Sequence, residues 1–327
     1  MKTLIAVISP IMLMAQSAPP APDPLTVSIE TADADRFAAL FRKTNGRPTA
    51  EELQRNYLDA GSDGVRIFTP DRIIDARHLA EAVAARPDQY AKAINTCLPV
   101  IKDTTAELRA TYLAFQGLFP ERPLPRLYLV VGAGNSGGTA GPGAQVLGLE
   151  TLCEIADTPD KLREIVRGFY AHETVHTWQG DPDMAKLGGI LAGSVLIEGA
   201  ADFIATLVTG RQMDPARAAW ATPREAELWR QFEVDLATTR NAKWSDVKKG
   251  TPIAASFSRW IGNYGSAPDG WPSEAGYWMG QRIWQRWYDR QPDKRAALRE
   301  MLSLPNAAAV LEQGRFVGAP SKSSRGN

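Results

Sequence analysis

The chain has 327 residues, 44% hydrophobic and 23% charged, and its 37 Lys and Arg balance 37 Asp and Glu to a formal net charge of zero. Such a chain can bury a substantial core. It carries no basic excess of the kind that nucleic acid or an anionic membrane surface requires, so neither is expected as a partner.

At the N-terminus, Lys2 precedes an apolar run from Thr3 to Ala15 that contains Pro10 and no acidic residue. Small residues around Ser17 and Ala18 and a proline-rich stretch follow. The pattern predicts a signal peptide over 1–18; about 13 apolar residues are too few for a bilayer span. The protein is therefore expected to be periplasmic or secreted, with no stable membrane anchor after cleavage and a flexible leader over 19–30. No later stretch reads as a bilayer span. Cys97 and Cys153 are the only cysteines. They could form a disulfide in an oxidising compartment or remain two buried thiols.

Residues 31–120 read as a helical part. Thr49 with Glu52, and Thr104 with Glu107, match the reciprocal capping pattern of helix starts. Arg126–Val131 reads as a strand, followed by a glycine-rich loop to Gly143 and a second strand over Gln145–Glu150. Within that loop, Gly132 to Gly137 matches G-x-G-x-x-G. The glycines and proline that follow forbid the helix a dinucleotide site needs, so a Rossmann site is rejected. The loop is either a mobile connection or, with the exposed edge of the first strand, a place where a peptide adds as a further strand.

Thr158-Pro159 opens a helix expected to end at Gln179, before Gly180 and Pro182. It contains His172-Glu173-Thr174-Val175-His176, an H-e-x-x-H pattern in a chain with only three histidines. Residues four apart lie on one helical face, so the two imidazoles can converge on one ion, with Glu173 beside them. The next helix, read as Lys186–Thr209, places Leu191, Val195, Glu198, Asp202 and Ala205 on one stripe. Two carboxylates there occupy core positions and need a cation or strong donors. Glu198 is expected as the third metal ligand. Asp202, one turn on, is expected to accept the far N–H of a ligand histidine; the alternative is a buried pair with an arginine.

These segments carry a resemblance. H-e-x-x-H followed by Glu198-Gly199-Ala200-Ala201-Asp202 resembles the gluzincin metallopeptidases. More narrowly, residues 172–180 and 196–210, preceded by Gly137-Gly138-Thr139, look like bacterial zinc-dependent proteases related to the gliding-motility lipoprotein B. The chain lacks that lipoprotein's lipidated cysteine. The resemblance implies a zinc cofactor on His172, His176 and Glu198, with Glu173 as general base for a zinc-activated water attacking a peptide bond. It also implies an α+β, predominantly α, zincin-like fold with a small sheet beside the motif helix.

The expected partner is thus a peptide or protein substrate. The competing expectation is a non-catalytic envelope protein with a structural zinc, although such sites normally close with four protein ligands and have no use for Glu173. A second catalytic residue is expected at Tyr277, on a helix opened by Ser273 and Glu274, as donor to the oxyanion; a core role for this tyrosine stands beside it. Tyr264 and Arg282 are lesser candidates, and His78 has no assigned role. The late tryptophans (Trp244, Trp260, Trp271, Trp278, Trp284 and Trp287) read as core first and as a substrate-lining wall second. The whole of 31–317 is expected as one catalytic unit: the helical part, a metal-site core at 126–210, and an aromatic-rich helical lobe at 211–317. A disordered tail is expected at 318–327.

Overall fold

The computed structural model of the chain describes residues 20–180, 183–304 and 306–316. The expected signal peptide, Pro182 and the tail at 318–327 lie outside the described residues. The architecture is α+β and predominantly α, with helices around one three-stranded sheet.

The sheet has the order β1 (Arg126–Val130), β3 (Ala144–Gly148), β2 (Gly138–Gly141). β1 runs parallel to β3, with Arg126 opposite Ala144, and β2 runs antiparallel to β3. The second expected strand is therefore shifted: at Leu149 the chain already turns into the helix Leu149–Glu154. β2 lies in the glycine-rich loop, whose residues have low strand propensity. Bare backbone is what fits there, since a Cβ on Gly141 would press on Ile67 at 2.9 Å.

The leader is anchored at its end. Val27 and Ile29 are buried, and Glu30 exchanges two 2.9 Å backbone bonds with Leu127 and Leu129. This bridge covers the outer edge of β1. The capping pattern at Thr49 is present in both directions. Thr104 makes no cap. Its residue is not extended, and its buried hydroxyl instead bonds Ile101 O and the Tyr170 hydroxyl, each at 2.6 Å.

Three helices carry the centre of the molecule. The motif helix, Pro159–Gln179, starts where Thr158 accepts a bond from Lys161 N and stops at Gly180. The carboxylate helix, Ile190–Thr209, begins later than expected because Gly188 and Gly189 have φ of 89° and 110°. Gly189 lies so close to the chain that a Cβ would meet Arg240 O at 2.6 Å. Contrary to the sequence reading, this helix is long and apolar enough to cross a membrane, but 78% of its apolar window is buried inside the protein.

The tyrosine helix, Ala275–Arg290, is not capped by Ser273. Glu274 sits at its start with φ 59°, and its carboxylate accepts from Gly262 N and Asn263 N. The carboxylate and tyrosine helices touch backbone to backbone, since a Cβ on Gly199 would lie 2.2 Å from the Gly280 carbonyl carbon. Trp260, Trp278, Trp284 and Trp287 fill the core around them, while Trp244 is 53% exposed. Cys97 and Cys153 form a disulfide, which ties the N-terminal helices to Leu149–Glu154.

Candidate metal centre

The motif helix sets His172 and His176 one turn apart, with ring centroids 4.6 Å apart. Each ring is fixed at Nδ1. Asp202 Oδ1 is 2.9 Å from His172 Nδ1, and Gln179 Oε1 is 2.6 Å from His176 Nδ1. Gln179 is oriented in turn, because its Nε2 donates to Ile197 O at 3.0 Å. A carboxylate and an amide carbonyl only accept, so each Nδ1 carries the hydrogen and each Nε2 presents a lone pair.

Those lone pairs face each other. His172 Nε2 and His176 Nε2 are 2.9 Å apart, and Glu198 Oε2 stands 3.2 Å and 3.1 Å from them. Three such atoms this close repel unless a proton or a metal ion sits among them. His172, His176 and Glu198 therefore form a group that could hold a metal ion.

The electrostatics agree. Burial draws both imidazoles toward the neutral form, but neighbouring carboxylates prevail and hold both above their usual value. Burial works against the ionised Glu198 as well, yet the two imidazoles hold its carboxyl far below the ordinary range. The triad thus attracts positive charge.

Glu173 is 5% exposed and lies against β2, where a Cβ on Gly138 would stand 2.6 Å from its Oε1. Burial raises its carboxyl above the usual range despite the two imidazoles. Glu173 and His172 line a cleft of about 630 Å³ together with Gly138, Asp202, Arg217 and Tyr277. The Tyr277 ring stacks on the His172 ring at 5.8 Å and 13°. Burial pushes its hydroxyl well above the usual tyrosine pKa, so it stays protonated.

The other sequence candidates separate. Tyr264 lies at the rim of this cleft, 54% exposed. Arg282 is held by Glu225 at 2.9 Å and does not line the cleft. His78 sits outside it, on the helix Ala76–Ala85. No tryptophan lines it; Trp260, Trp278, Trp284 and Trp287 belong to the core, whereas Trp271 is half-buried and Trp244 exposed. Asp202 meets both partners considered for it, His172 Nδ1 at 2.9 Å and Arg217 Nη1 at 3.7 Å.

Three contributors were missed in sequence. Gln179 is three residues after His176, a spacing at which helical side chains meet, and that signal was available. Arg217 comes from a separate short helix and left no local signal. Glu150 is the third, a fully buried carboxylate that accepts from Gly132 N at 2.9 Å and Gly134 N at 3.0 Å. The G-x-G loop thus binds an anion, but one supplied by its own chain. The carbonyls at 131, 132 and 133, where the loop begins, accept from Tyr57, Tyr90 and Arg86. Among the described residues, the sheet edge with no further strand beside it is that of β2, because Glu30 bridges to β1.

No protein-family model, curated protein or solved structure matches this chain.

Proposed function

We propose that the protein is an exported zinc peptidase of the gluzincin type, with a zincin-like fold, acting on a peptide or protein substrate. The observation that carries this reading is the placement of a buried Glu173 beside a group of three protein ligands among the described residues. Two imidazoles and one carboxylate are a zinc donor set, and zinc bonds of about 2.0–2.2 Å suit a triangle of this size. Three protein ligands leave a position free for chemistry, whereas structural sites normally close with four.

When bound, zinc supplies a Lewis acid and a water acidified toward neutral pH. Glu173 takes a proton from the attacking water at its carboxylate and returns it to the leaving amine; the raised proton affinity of this buried group favours that exchange. Asp202 and Gln179 hold the two imidazoles in one tautomer and orientation. Tyr277 offers a protonated hydroxyl in the cleft to the developing oxyanion. The unpaired edge of β2, beside Glu173, offers backbone groups to an extended substrate. Export rests on the sequence of residues 1–18, and the disulfide supports an oxidising compartment.

Metal analysis of the purified protein, with wild type and Glu173→Gln assayed on a broad peptide library, tests the reading. One zinc in both proteins and cleavage by wild type alone is the expected result. Bound zinc without cleavage by wild type overturns the peptidase in favour of a structural site.

A further inference from the structure

We propose that Arg217 is a positioning residue of the metal centre, closing a ring of contacts that fixes His172 by its edge and by its face. The proposal rests on the reading of His172, His176 and Glu198 as a metal site.

The ring runs through four side chains from four helices. His172 Nδ1 bonds Asp202 Oδ1 at 2.9 Å, and Asp202 Oδ2 faces Arg217 Nη1 at 3.7 Å. The Arg217 guanidinium then lies over the Tyr277 ring, 5.2 Å from its centroid. Tyr277 stacks back on His172 at 5.8 Å. Asp202 is 4% exposed, and its carboxylate oxygens are divided between the imidazole and the arginine. Without Arg217, the second oxygen would face the cleft with no cationic partner, at the cost a buried carboxylate carries.

Arg217 is itself fixed from two further directions. Its Nε donates to Ser273 O at 3.1 Å, just before the tyrosine helix. Its Nη2 meets Asp214 Oδ2 at 3.3 Å, while Asp214 Oδ1 accepts from Arg217 N at 2.8 Å. A carbonyl, two carboxylates and a ring are contacts that the several donors of one guanidinium meet together, whereas a lysine ammonium lacks that fork. Arg217 therefore locates the Asp202 carboxylate and the Tyr277 ring relative to one another, and through them the His172 imidazole. It touches neither the ligand atoms nor the reacting bond.

The test uses the mature full chain as wild type, Arg217→Met and Arg217→Lys. It measures the zinc dissociation constant by competition with a chromophoric chelator, the melting temperature of the metal-free protein, and the nitrogen–proton NMR signal of His172 Nδ1, assigned with His172→Gln. Arg217→Met is expected to weaken zinc binding by about 10- to 100-fold and to broaden the His172 Nδ1–H signal. Arg217→Lys is expected to fall between, which keeps the test open if the Met variant does not fold. A lowered melting temperature with unchanged zinc affinity and an unchanged His172 signal would overturn the proposal, leaving Arg217 as a tie between helices. If wild type binds no zinc, the metal reading fails, and the His172 signal in the metal-free proteins still decides whether Arg217 positions that ring.

Discussion

Gly199 and Gly280 meet where the carboxylate and tyrosine helices cross, and neither leaves room for a single carbon. A Cβ on Gly280 would stand 1.9 Å from Val195 O, and one on Gly199 would stand 2.2 Å from the Gly280 backbone. The obstacle is main chain, so no rotamer change relieves it. Gly199 lies between Glu198 and Asp202 and Gly280 lies one turn after Tyr277, so the crossing sets the Tyr277 ring against His172. Gly199→Ala is expected to cost about 1–3 kcal/mol or more through overpacking. Gly117→Ala, in a helix where the new carbon meets open space, is expected to gain roughly 0.5–1 kcal/mol. Urea unfolding of both variants checks the contrast.

The approach of Gly138 to Glu173 predicts a separation of chemistry from metal binding. In Gly138→Ala the new carbon would lie 2.6 Å from Oε1 and 3.0 Å from Cδ of Glu173. The carboxylate must shift to admit it. Misplacement of about 1 Å can cost on the order of 100-fold in rate. Peptide cleavage is expected to fall by that order while zinc content stays at the wild-type value; equal loss of both would contradict the role given to Glu173.

Asp202 holds His172 and Gln179 holds His176, so their removal should loosen metal without removing a ligand. Asp202→Asn and Gln179→Leu are each expected to weaken zinc binding by about 10- to 100-fold. Chelator competition measures this directly.

The disulfide joins residues 56 apart in sequence. Closing a loop of that length restricts the unfolded chain, a contribution of about 4 kcal/mol in the chain-entropy account. The double variant Cys97→Ser, Cys153→Ser should therefore unfold at markedly lower urea than wild type, as should wild type under reducing conditions.

Glu150 gives the expected pH dependence. Burial raises its carboxyl above 4.5, against the backbone donors at Gly132 and Gly134. Between 4.5 and the raised value the folded protein binds a proton that the unfolded chain does not. The contribution is thus present in full below pH 4.5 and is lost as pH rises through the folded value. Urea unfolding across that window should show wild type losing stability relative to Glu150→Gln, which cannot titrate there.

The legible part of the site was the part written in one helix period at a time. His172 and His176 are one turn apart, and Glu198 and Asp202 repeat that interval on an apolar stripe, so spacing alone placed each pair on one face. Arg217 was invisible because its position depends on how a separate short helix packs across the Asp202 face. β2 was invisible for the opposite reason: Gly138 and Gly141 are strand residues chosen by what must approach them, not by their own propensity. Thr104 and Ser273 show the limit of cap patterns, since the Thr104 backbone is not extended and the helix after Ser273 starts only beyond Glu274. The broad outline of helices around a small sheet was readable, because long amphipathic stretches alternate with only a short stretch of strand.

The bridge at Glu30 settles how the sheet meets the outside. Unpaired strand edges invite pairing with other chains, which is a route to aggregation. Here one flank is occupied by the protein's own leader, and the other is a strand of four residues whose first, Gly138, lines the cleft. Among the described residues, the sheet therefore offers a second copy of the chain no long edge to extend. The same arrangement that guards the sheet against its neighbours leaves its short edge at Gly138, beside Glu173, which is where the proposed substrate would pair.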